Sequence, residues 1–321
     1  MRVLATIGFS FSAGVFLAAL LPWTGWQLYA AGGVLLLALA WLFAARKQKY
    51  FRRGLLILLP LVVSLAYFAG YDHLVRQPIE DRCGAASDFT ATVCDWPQAT
   101  ERGARVTVEL EGYHRARAVL YGEAELLAAR PGDTVTGTAQ WQSAAHFDSD
   151  DVTHFNARGV YALLYGREDV RLSAGDGDAL RWLPQRAGKA FREKVAAIWD
   201  DPRVSGFLTA ELTGDKSAMD DGDYLAMQET GLAHLFAVSG LHCAFLVTLL
   251  ALLISRRQRL LCAVTIPLLL FYMVMVGMSP SVVRACIMQI FLLIAPLFRR
   301  GSDPLTSLAA ALLGILLCNP F

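Results

Sequence analysis

Acidic side chains are nearly absent from half of this 321-residue chain, and long stretches carry no charge at all. Of the 28 acidic residues, 27 lie between Asp72 and Glu229, where 17 basic residues leave a net charge of −10; the one acid elsewhere is Asp303. The mean hydropathy is +0.42. A soluble globular protein does not segregate its carboxylates in this way. The pattern therefore excludes a cytosolic enzyme and a disordered protein, and predicts two membrane regions flanking a soluble insert.

Cysteine is also scarce, with six residues, and the chain is not a small disulfide-stapled protein. Four cysteines fall in apolar stretches without zinc-ligand spacing and are expected to be small packing residues: Cys243, Cys262, Cys286 and Cys318. The other two, Cys83 and Cys94, lie in the acidic insert. Because thiols outside the cytoplasm can be oxidised, a Cys83–Cys94 disulfide is our hypothesis from the sequence.

Uncharged runs flank the insert, and a membrane-spanning helix needs about 20 apolar residues. Residues 3–45 contain no Asp, Glu, Lys or Arg and are expected to form two spans, broken at residues 21–25. A third span is predicted at residues 54–71. Four further uncharged runs follow the insert, at residues 230–255, 260–283, 285–298 and 304–321.

Short loops rich in Lys and Arg stay in the cytoplasm, and here they occur at alternate connections: residues 46–53, 256–259 and 299–303. One topology satisfies all of them. It has seven spans in the plasma membrane, the N-terminus inside, and residues 72–229 outside the cytoplasm. The predicted fold class is a polytopic α-helical membrane protein with an extracytoplasmic small β-barrel as insert. The last uncharged run has no charged tail, which we expect of an interrupted protein or a fragment.

The insert divides into a β part and a helical part. Alternating or β-branched segments predict five short strands, at residues 88–93, 104–110, 116–121, 134–139 and 160–165. Such a set suits a small barrel or a sandwich, and the oligonucleotide/oligosaccharide-binding (OB) barrel is one candidate. From Leu183 an amphipathic helical pattern begins. The regions are thus residues 1–71 (three transmembrane helices), 72–182 (exported OB-like domain), 183–229 (amphipathic connector) and 230–321 (about four transmembrane helices).

Aromatic residues in the insert are interpreted as barrel core and rim more readily than as base-stacking platforms. A net charge of −10 repels phosphate unless the basic residues cluster on one face. A docking role for the barrel, in which it binds partner proteins, is therefore kept as an alternative to DNA binding.

Three motifs could carry the chemistry. The first, Gly214-Asp215-Lys216, lacks the glycine and hydroxyl positions of a phosphate-binding loop and predicts a turn at a helix end. The second is the segment containing His234, Ser239, Gly240 and His242. Two histidines eight residues apart lie on broadly one side of a helix, and ionisable residues within a membrane are candidates for function. Pore-lining and packing roles both stay open for them.

The third motif contains Ser279, Pro280, Ser281 and Arg284. Ser followed by Pro is typical of a helix start, with the serine as cap and the proline at the first helical position. Arg284 then lies about one turn inside, where a phosphate could meet both its guanidinium and the helix N-terminus. The alternative is an arginine whose side chain reaches to the outer interface.

In this order and spacing, the motifs resemble the ComEC family of competence proteins. The matching strings are LTGDKSAM, ETGLAHLFAVSGLH, GMSPSVVRACIM and RRGSDPLTSLAAALLGILLCNPF. The resemblance covers residues 206–321 and is looser before them; after His242 this chain has Cys243-Ala244 where the family commonly has a hydrophobic residue and glycine. It implies a channel that passes one strand of incoming DNA into the cytoplasm during natural transformation. Many relatives also carry a metallo-β-lactamase-like domain, whose His-x-His-x-Asp-His string does not occur here.

The resemblance implies several partners: single-stranded DNA, the lipid bilayer, a periplasmic or cell-surface DNA receptor, and cytoplasmic DNA-translocating or single-strand-binding proteins. Association of several copies is left open. No metal, cofactor or catalytic residue is predicted, because transport is not catalysis by this chain. The alternative from another class is a membrane-embedded enzyme or small-molecule transporter that uses His234 and His242.

Overall fold

A computed structural model describes residues 2–20, 32–33, 35–40, 43, 51–101, 103–113, 116–145, 155–167, 169–177, 179–214, 219–231, 240–254, 257–298, 301 and 303–321. Its helices are α1 Val3–Leu20, α2 Phe51–Tyr71, α3 Gln77–Glu80, α4 Leu183–Ile198, α5 Pro202–Thr213, α6 Asp221–Glu229, α7 Gly240–Ile254, α8 Gln258–Met275, α9 Pro280–Ile294 and α10 Pro304–Cys318. Its strands are β1 Ala86–Val93, β2 Gln98–Thr100, β3 Gly103–Leu110, β4 Arg117–Gly122, β5 Thr134–Ser143, β6 Val160–Gly166 and β7 Arg171–Ser173.

Apolar helices lie on both sides of the barrel in the sequence. In the described parts, three are long and apolar enough to cross a membrane: Arg53–Glu80, Gln258–Met275 and Pro280–Phe298. Shorter apolar helices are Val3–Ala19, Gly240–Ile254 and Pro304–Cys318. The chain is therefore a membrane protein with a soluble barrel. The predicted second span lies largely outside the described residues, so the count of seven spans stays a prediction.

Two helix boundaries differ from the sequence-based prediction. The third span does not end at Tyr71, because a π-helical turn, Asp72–Arg76, joins α2 to α3. The run at residues 230–255 is not helical from its start. Gly231 adopts φ 72°, a left-handed conformation that glycine accepts at little cost, and the described part of α7 runs from Gly240. Residues 232–239, with His234 and Ser239, lie outside the described part of the chain.

The predicted five strands form a closed barrel. Antiparallel pairs join β1 to β3, β3 to β4, β5 to β6 and β1 to β5, and a parallel pair between β4 and β6 closes the ring. Five strands closed in this way confirm the OB-like prediction. The short strands β2 and β7 pair with β3 and β5 and were missed, since three residues are too few for a recognisable alternation.

Alternation along each strand fills the barrel core. In β3 the side chains of Ala104, Val106 and Val108 are buried while those of Arg105 and Glu109 are exposed, as the two-residue period of a strand requires. The largest core side chains belong to Trp141 and Tyr161, both 1% exposed. Side chains thus fill the interior of the described barrel, as expected for a barrel of this size.

The barrel rests on the membrane helices through a small polar and aromatic junction. The Tyr161 hydroxyl donates to Oδ1 of Asn319 (3.1 Å) and lies 3.1 Å from the Tyr71 hydroxyl, and the Asn319 amide donates to the Asn156 carbonyl (2.6 Å). The Phe321 ring packs against the rings of Tyr71 and Tyr161. Burial and the hydrogen bond between the Tyr161 and Tyr71 hydroxyls raise the pKa of Tyr161, so this phenol stays neutral. The ends of α2 and α10 thus both contact the barrel at this junction.

Helices α1 and α10 run side by side in the same direction. At their starts, Arg2 Nε pairs with the Asp303 carboxylate at 3.0 Å. Six residues further along each helix, Gly8 faces Ala309, where a Cβ added to the glycine would lie 2.7 Å from the Ala309 carbonyl oxygen. Small residues permit such close backbone approach between membrane helices.

Gly8→Ala is predicted to destabilise the protein by about 1–3 kcal/mol, because the added methyl group meets backbone rather than a movable side chain. The measurement is thermal unfolding of the detergent-solubilised protein. The matched control is Gly70→Ala in α2, where a Cβ meets nothing within 4 Å; this change is expected to be neutral or slightly stabilising. Equal effects of the two substitutions would contradict the close α1–α10 contact.

Candidate functional site at the start of helices α7 and α9

The first motif ends helix α5. Asp201 caps its start and accepts a hydrogen bond from the Arg203 amide at 2.9 Å. Its end is marked by Gly214, at φ 74°, whose N–H donates to the Ala210 carbonyl at 2.8 Å. This is the helix-end turn that the sequence predicted, and the left-handed conformation explains the glycine. Asp215 and Lys216 lie outside the described residues.

Helix α5 reaches the second motif through Glu211. Its Oε1 atom lies 3.5 Å from Nε2 of His242, in the first turn of α7. The side chains are 31% and 21% exposed, so water screens the pair only in part. The carboxylate can pair with a protonated imidazole or orient a neutral one. The sequence shows no acid within the histidine segment. It did not identify Glu211 as a partner, because Glu211 lies in a different helix.

Glu211 still left a signal in the sequence. It occupies the last turn of an amphipathic helix next to the buried residues Thr209, Ala210 and Thr213. A carboxylate at the border of a buried face needs a cationic or hydrogen-bonding partner. The sequence could have indicated that need, but it could not have identified His242 as the partner.

The first turn of α7 contacts the second turn of α9. A Cβ added to Gly240 would lie 3.7 Å from the Cβ of Ala285. Beside this contact, the Sγ atoms of Cys243 and Cys286 are 3.5 Å apart, and both residues are fully buried. The second and third motifs therefore meet at one end of the membrane helices, as neither pattern alone could show.

Helix α9 begins where the sequence predicted. Ser279 occupies the cap position with φ −60° and ψ 146°, and Pro280 is the first helical residue. The serine side chain makes no capping hydrogen bond with the described residues, so the predicted cap is correct in position only. Before it, Gly277 and Met278 have φ values of 84° and 53°. Positive φ is uncommon for a residue other than glycine, and the Met278 N–H is held by the Met273 carbonyl at 3.0 Å.

Arg284 lies just over one turn into α9 and is exposed, whereas Ser281 is half-buried. Within the described ranges its guanidinium makes no ion pair. An unpaired guanidinium close to a helix N-terminus can bind an oxyanion such as phosphate. Ala285, the next residue, contacts Gly240, so Arg284 borders the contact between the two helices.

No metal site is evident. Among the residues that the structure describes, no group of three or more His, Cys, Asp or Glu side chains is arranged to hold a metal ion. The Glu211–His242 pair has two ligating groups and by itself falls short of the usual count for a structural or catalytic zinc.

The Cys83–Cys94 disulfide is not formed. Both residues are free thiols: the Cys83 thiol donates to the Ile79 carbonyl (3.4 Å) and the Cys94 thiol to the Thr92 carbonyl (3.6 Å). Burial, with a smaller contribution from Glu80, raises the pKa of Cys83 to about 11. Burial likewise raises the pKa of Cys94 to about 11. With these raised pKa values both side chains are protonated thiols at neutral pH.

A second polar surface lies on the outside of the barrel. Tyr121 of β4 and Tyr165 of β6 are register partners, and their rings stack with centroids 5.2 Å apart at 13°. Arg105 and Gln140 continue the row on the neighbouring strands. Burial and the adjacent Tyr121 raise the pKa of Tyr165, so the pair adds no negative charge at neutral pH.

These features define a membrane protein that combines an OB-like barrel with a helical region in which the second and third motifs meet. Residues 212–321 match the family model described as Competence protein. Over 123 residues the chain is 32% identical to ComE operon protein 3 of Bacillus subtilis (strain 168); the match covers 37% of this chain and 16% of that protein. No solved structure matches. The two matches support a competence protein of the ComEC family, in agreement with the motifs, although the chain spans only about a sixth of its relative's length.

A double-mutant cycle tests the Glu211–His242 contact. Glu211→Ala, His242→Ala and the double variant are expected to show a coupling free energy of about 0.2–1 kcal/mol, the range for partly exposed ion pairs. The measurement is unfolding in detergent at a pH where the imidazole is protonated. Glu229→Ala provides the control cycle with His242→Ala, because Glu229 is an exposed acid at the end of α6 and is expected to show no coupling. A Glu211 cycle without coupling would contradict the contact.

Proposed function

We propose that this protein forms part of a plasma-membrane channel that passes single-stranded DNA into the cytoplasm during natural transformation. The observation that carries the proposal is the contact between the second and third motifs where Gly240 of α7 faces Ala285 of α9. There Glu211 contacts His242, and exposed Arg284 borders the contact between Gly240 and Ala285. The competence match covers α7 to α10, which supports assigning the conduit to these helices.

The proposed topology places the barrel, with the rest of residues 72–229, outside the cytoplasm. The basic loops at residues 46–53, 256–259 and 299–303 then remain inside. The parallel course of α1 and α10 supports this arrangement, because both helices begin at the Arg2–Asp303 pair. The far end of α10 meets the barrel at Asn319, as an outward-running helix would.

In this mechanism Arg284 contacts the phosphates of the incoming strand. A guanidinium binds phosphate through two parallel hydrogen bonds, and the positive end of the α9 dipole adds to the attraction. A conduit must bind its cargo weakly enough to release it, and a single exposed arginine meets that requirement better than a buried cluster. His234, Ser239, Gly240, His242, Ser279 and Ser281 are proposed to line the same path. A DNA receptor outside and a translocating or single-strand-binding protein inside would deliver and take up the strand.

Arg284→Ala in the full-length gene is predicted to lower the transformation frequency roughly tenfold to a hundredfold, since a charge-assisted hydrogen-bonded contact is worth about 1.5–3 kcal/mol. Arg284→Lys should retain part of the activity, because the charge remains but the two-pronged geometry is lost. The membrane level of each variant is measured alongside.

Arg259→Ala is the matched control. Arg259 is an exposed arginine at the opposite end of the same helical region, and its replacement is expected to leave transformation near the wild-type frequency. Wild-type uptake by the Arg284→Ala protein at a normal membrane level would refute the phosphate contact.

A second site for DNA is favoured by one observation, the stacked pair of half-buried Tyr121 and exposed Tyr165 on the barrel. Aromatic side chains on OB barrels stack bases at about 1–3 kcal/mol per base. The net charge of the insert opposes this role, and the docking alternative keeps the barrel as a surface for partner proteins.

Replacing both tyrosines with alanine is predicted to weaken binding of single-stranded oligonucleotides to the whole detergent-solubilised protein by roughly tenfold or more. The affinity of the wild-type protein for oligonucleotides should also fall steeply as the salt concentration rises. Tyr224→Ala in the connector serves as the control and should bind like the wild type. Unchanged affinity of the double variant would exclude the tyrosine pair as a base platform and would favour docking.

A further inference from the structure

Two thiols face each other inside the membrane region. The Sγ atoms of Cys243 in α7 and Cys286 in α9 are 3.5 Å apart, and neither residue is exposed. The buried residues around them are apolar, among them Leu269 and Val282. Partly buried residues such as Tyr272 pack against the same cluster.

The other four cysteines are placed differently. The Cys262 thiol donates to the Leu293 carbonyl at 3.2 Å, Cys83 and Cys94 donate to carbonyls of their own segments, and Cys318 is exposed. Of the six thiols, only those of Cys243 and Cys286 lie within hydrogen-bond distance of each other, and the Cys286 Sγ atom also lies 3.7 Å from the Leu269 carbonyl oxygen. Packing of small apolar side chains does not require the two sulfurs to meet.

The helix contact leaves room for a covalent bond. A disulfide has a sulfur–sulfur distance of about 2.05 Å and needs Cα atoms within about 7 Å. The neighbouring contact of Gly240 with Ala285 brings the two backbones close at the same level. Because the sulfurs are already within 3.5 Å, bond formation requires side-chain adjustment and no separation of helices.

We propose that Cys243 and Cys286 form an intramembrane dithiol site that a small disulfide oxidant converts to a disulfide joining α7 and α9. The thiolate of one cysteine attacks a sulfur of the oxidant, and the oxidant's other half leaves as a thiolate and takes up a proton. The second cysteine then attacks the mixed disulfide and releases the remaining half. The two thiols lose two electrons and two protons, and the oxidant gains them as two thiol molecules.

The bond would affect the candidate site directly. His242, which contacts Glu211, immediately precedes Cys243, and Arg284 lies two residues before Cys286. A disulfide would therefore fix the relative position of the two helix starts that carry these side chains. This consequence rests on the proposed function, whereas the formation of the bond does not.

The test uses the wild-type protein in its native membranes, treated with the membrane-permeant aromatic disulfide dithiodipyridine. After denaturation the remaining thiols are alkylated with N-ethylmaleimide, and the protein is digested without reductant. Mass spectrometry should detect the Cys243 and Cys286 peptides joined and lighter by two hydrogen atoms than their sum. Alkylation of both residues should be lost and should return when a reductant is added. Because the oxidant crosses membranes, the result does not depend on the proposed topology.

Cys262 provides the internal control. Its thiol lies in a predicted membrane helix and is hydrogen-bonded to the Leu293 carbonyl, so its peptide should not become disulfide-linked to another peptide. In a Cys286→Ser variant, Cys243 should lose its partner and form no internal link. Recovery of Cys243 and Cys286 as separate alkylated peptides, or as separate mixed disulfides with the oxidant, would overturn the proposal. Either result would leave the Arg284 prediction for DNA uptake unaffected, so the two proposals fail independently.

Discussion

The free-energy cost of placing a charged group in hydrocarbon determines where charged residues occur along this chain. Hydrocarbon does not solvate carboxylates or guanidinium groups, and 27 of the 28 acids accordingly lie between Asp72 and Glu229. The one acid outside, Asp303, pairs with Arg2 where α1 and α10 begin. The separation of a charged barrel from uncharged helices follows from this constraint, and so does the rarity of polar contacts between helices. Each polar contact that does occur in the helical region is therefore informative.

Two such contacts determine how the parts of the molecule are arranged. Tyr161 and Asn319 join the barrel to the ends of α2 and α10 through hydrogen bonds that are partly or fully buried. Glu211 and His242 join the connector to the competence helices. Each contact bridges segments that are far apart in the sequence, so the barrel and the connector are each joined to the helical region by polar contacts.

The helix starts concentrate the reactive groups of the membrane region. An imidazole, a guanidinium and two thiols lie within the first two turns of α7 and α9, close to the Gly240–Ala285 contact. At the start of α9, unpaired N–H groups and the positive end of the dipole suit a polyanionic cargo. The glycine allows the backbones to approach, and this approach brings the two sulfurs together. Transport and redox chemistry would therefore act on the same pair of helices.

Local patterns were sufficient for much of this structure. Alternation in five segments predicted the barrel strands, Ser279-Pro280 predicted the start of α9, and Gly214 predicted the end of α5, because each depends on residues adjacent in the chain. The Cys83–Cys94 disulfide was wrong for the opposite reason, since compartment and spacing cannot show that the two thiols donate to separate carbonyls. Residues 230–255 were taken as one uncharged helix, because hydropathy does not register the left-handed turn at Gly231.

By itself the sequence determined the charge segregation, the elements and the competence motifs, all of which are properties of neighbouring residues. Only the tertiary structure decided the partners: Glu211 for His242, Cys286 for Cys243, and Asn319 for Tyr161. Those pairs are separated by 31, 43 and 158 positions, and periodicity carries no information over such distances. The physical reason is packing, because the side chains that meet across two helices depend on how closely the backbones approach and at what level they cross.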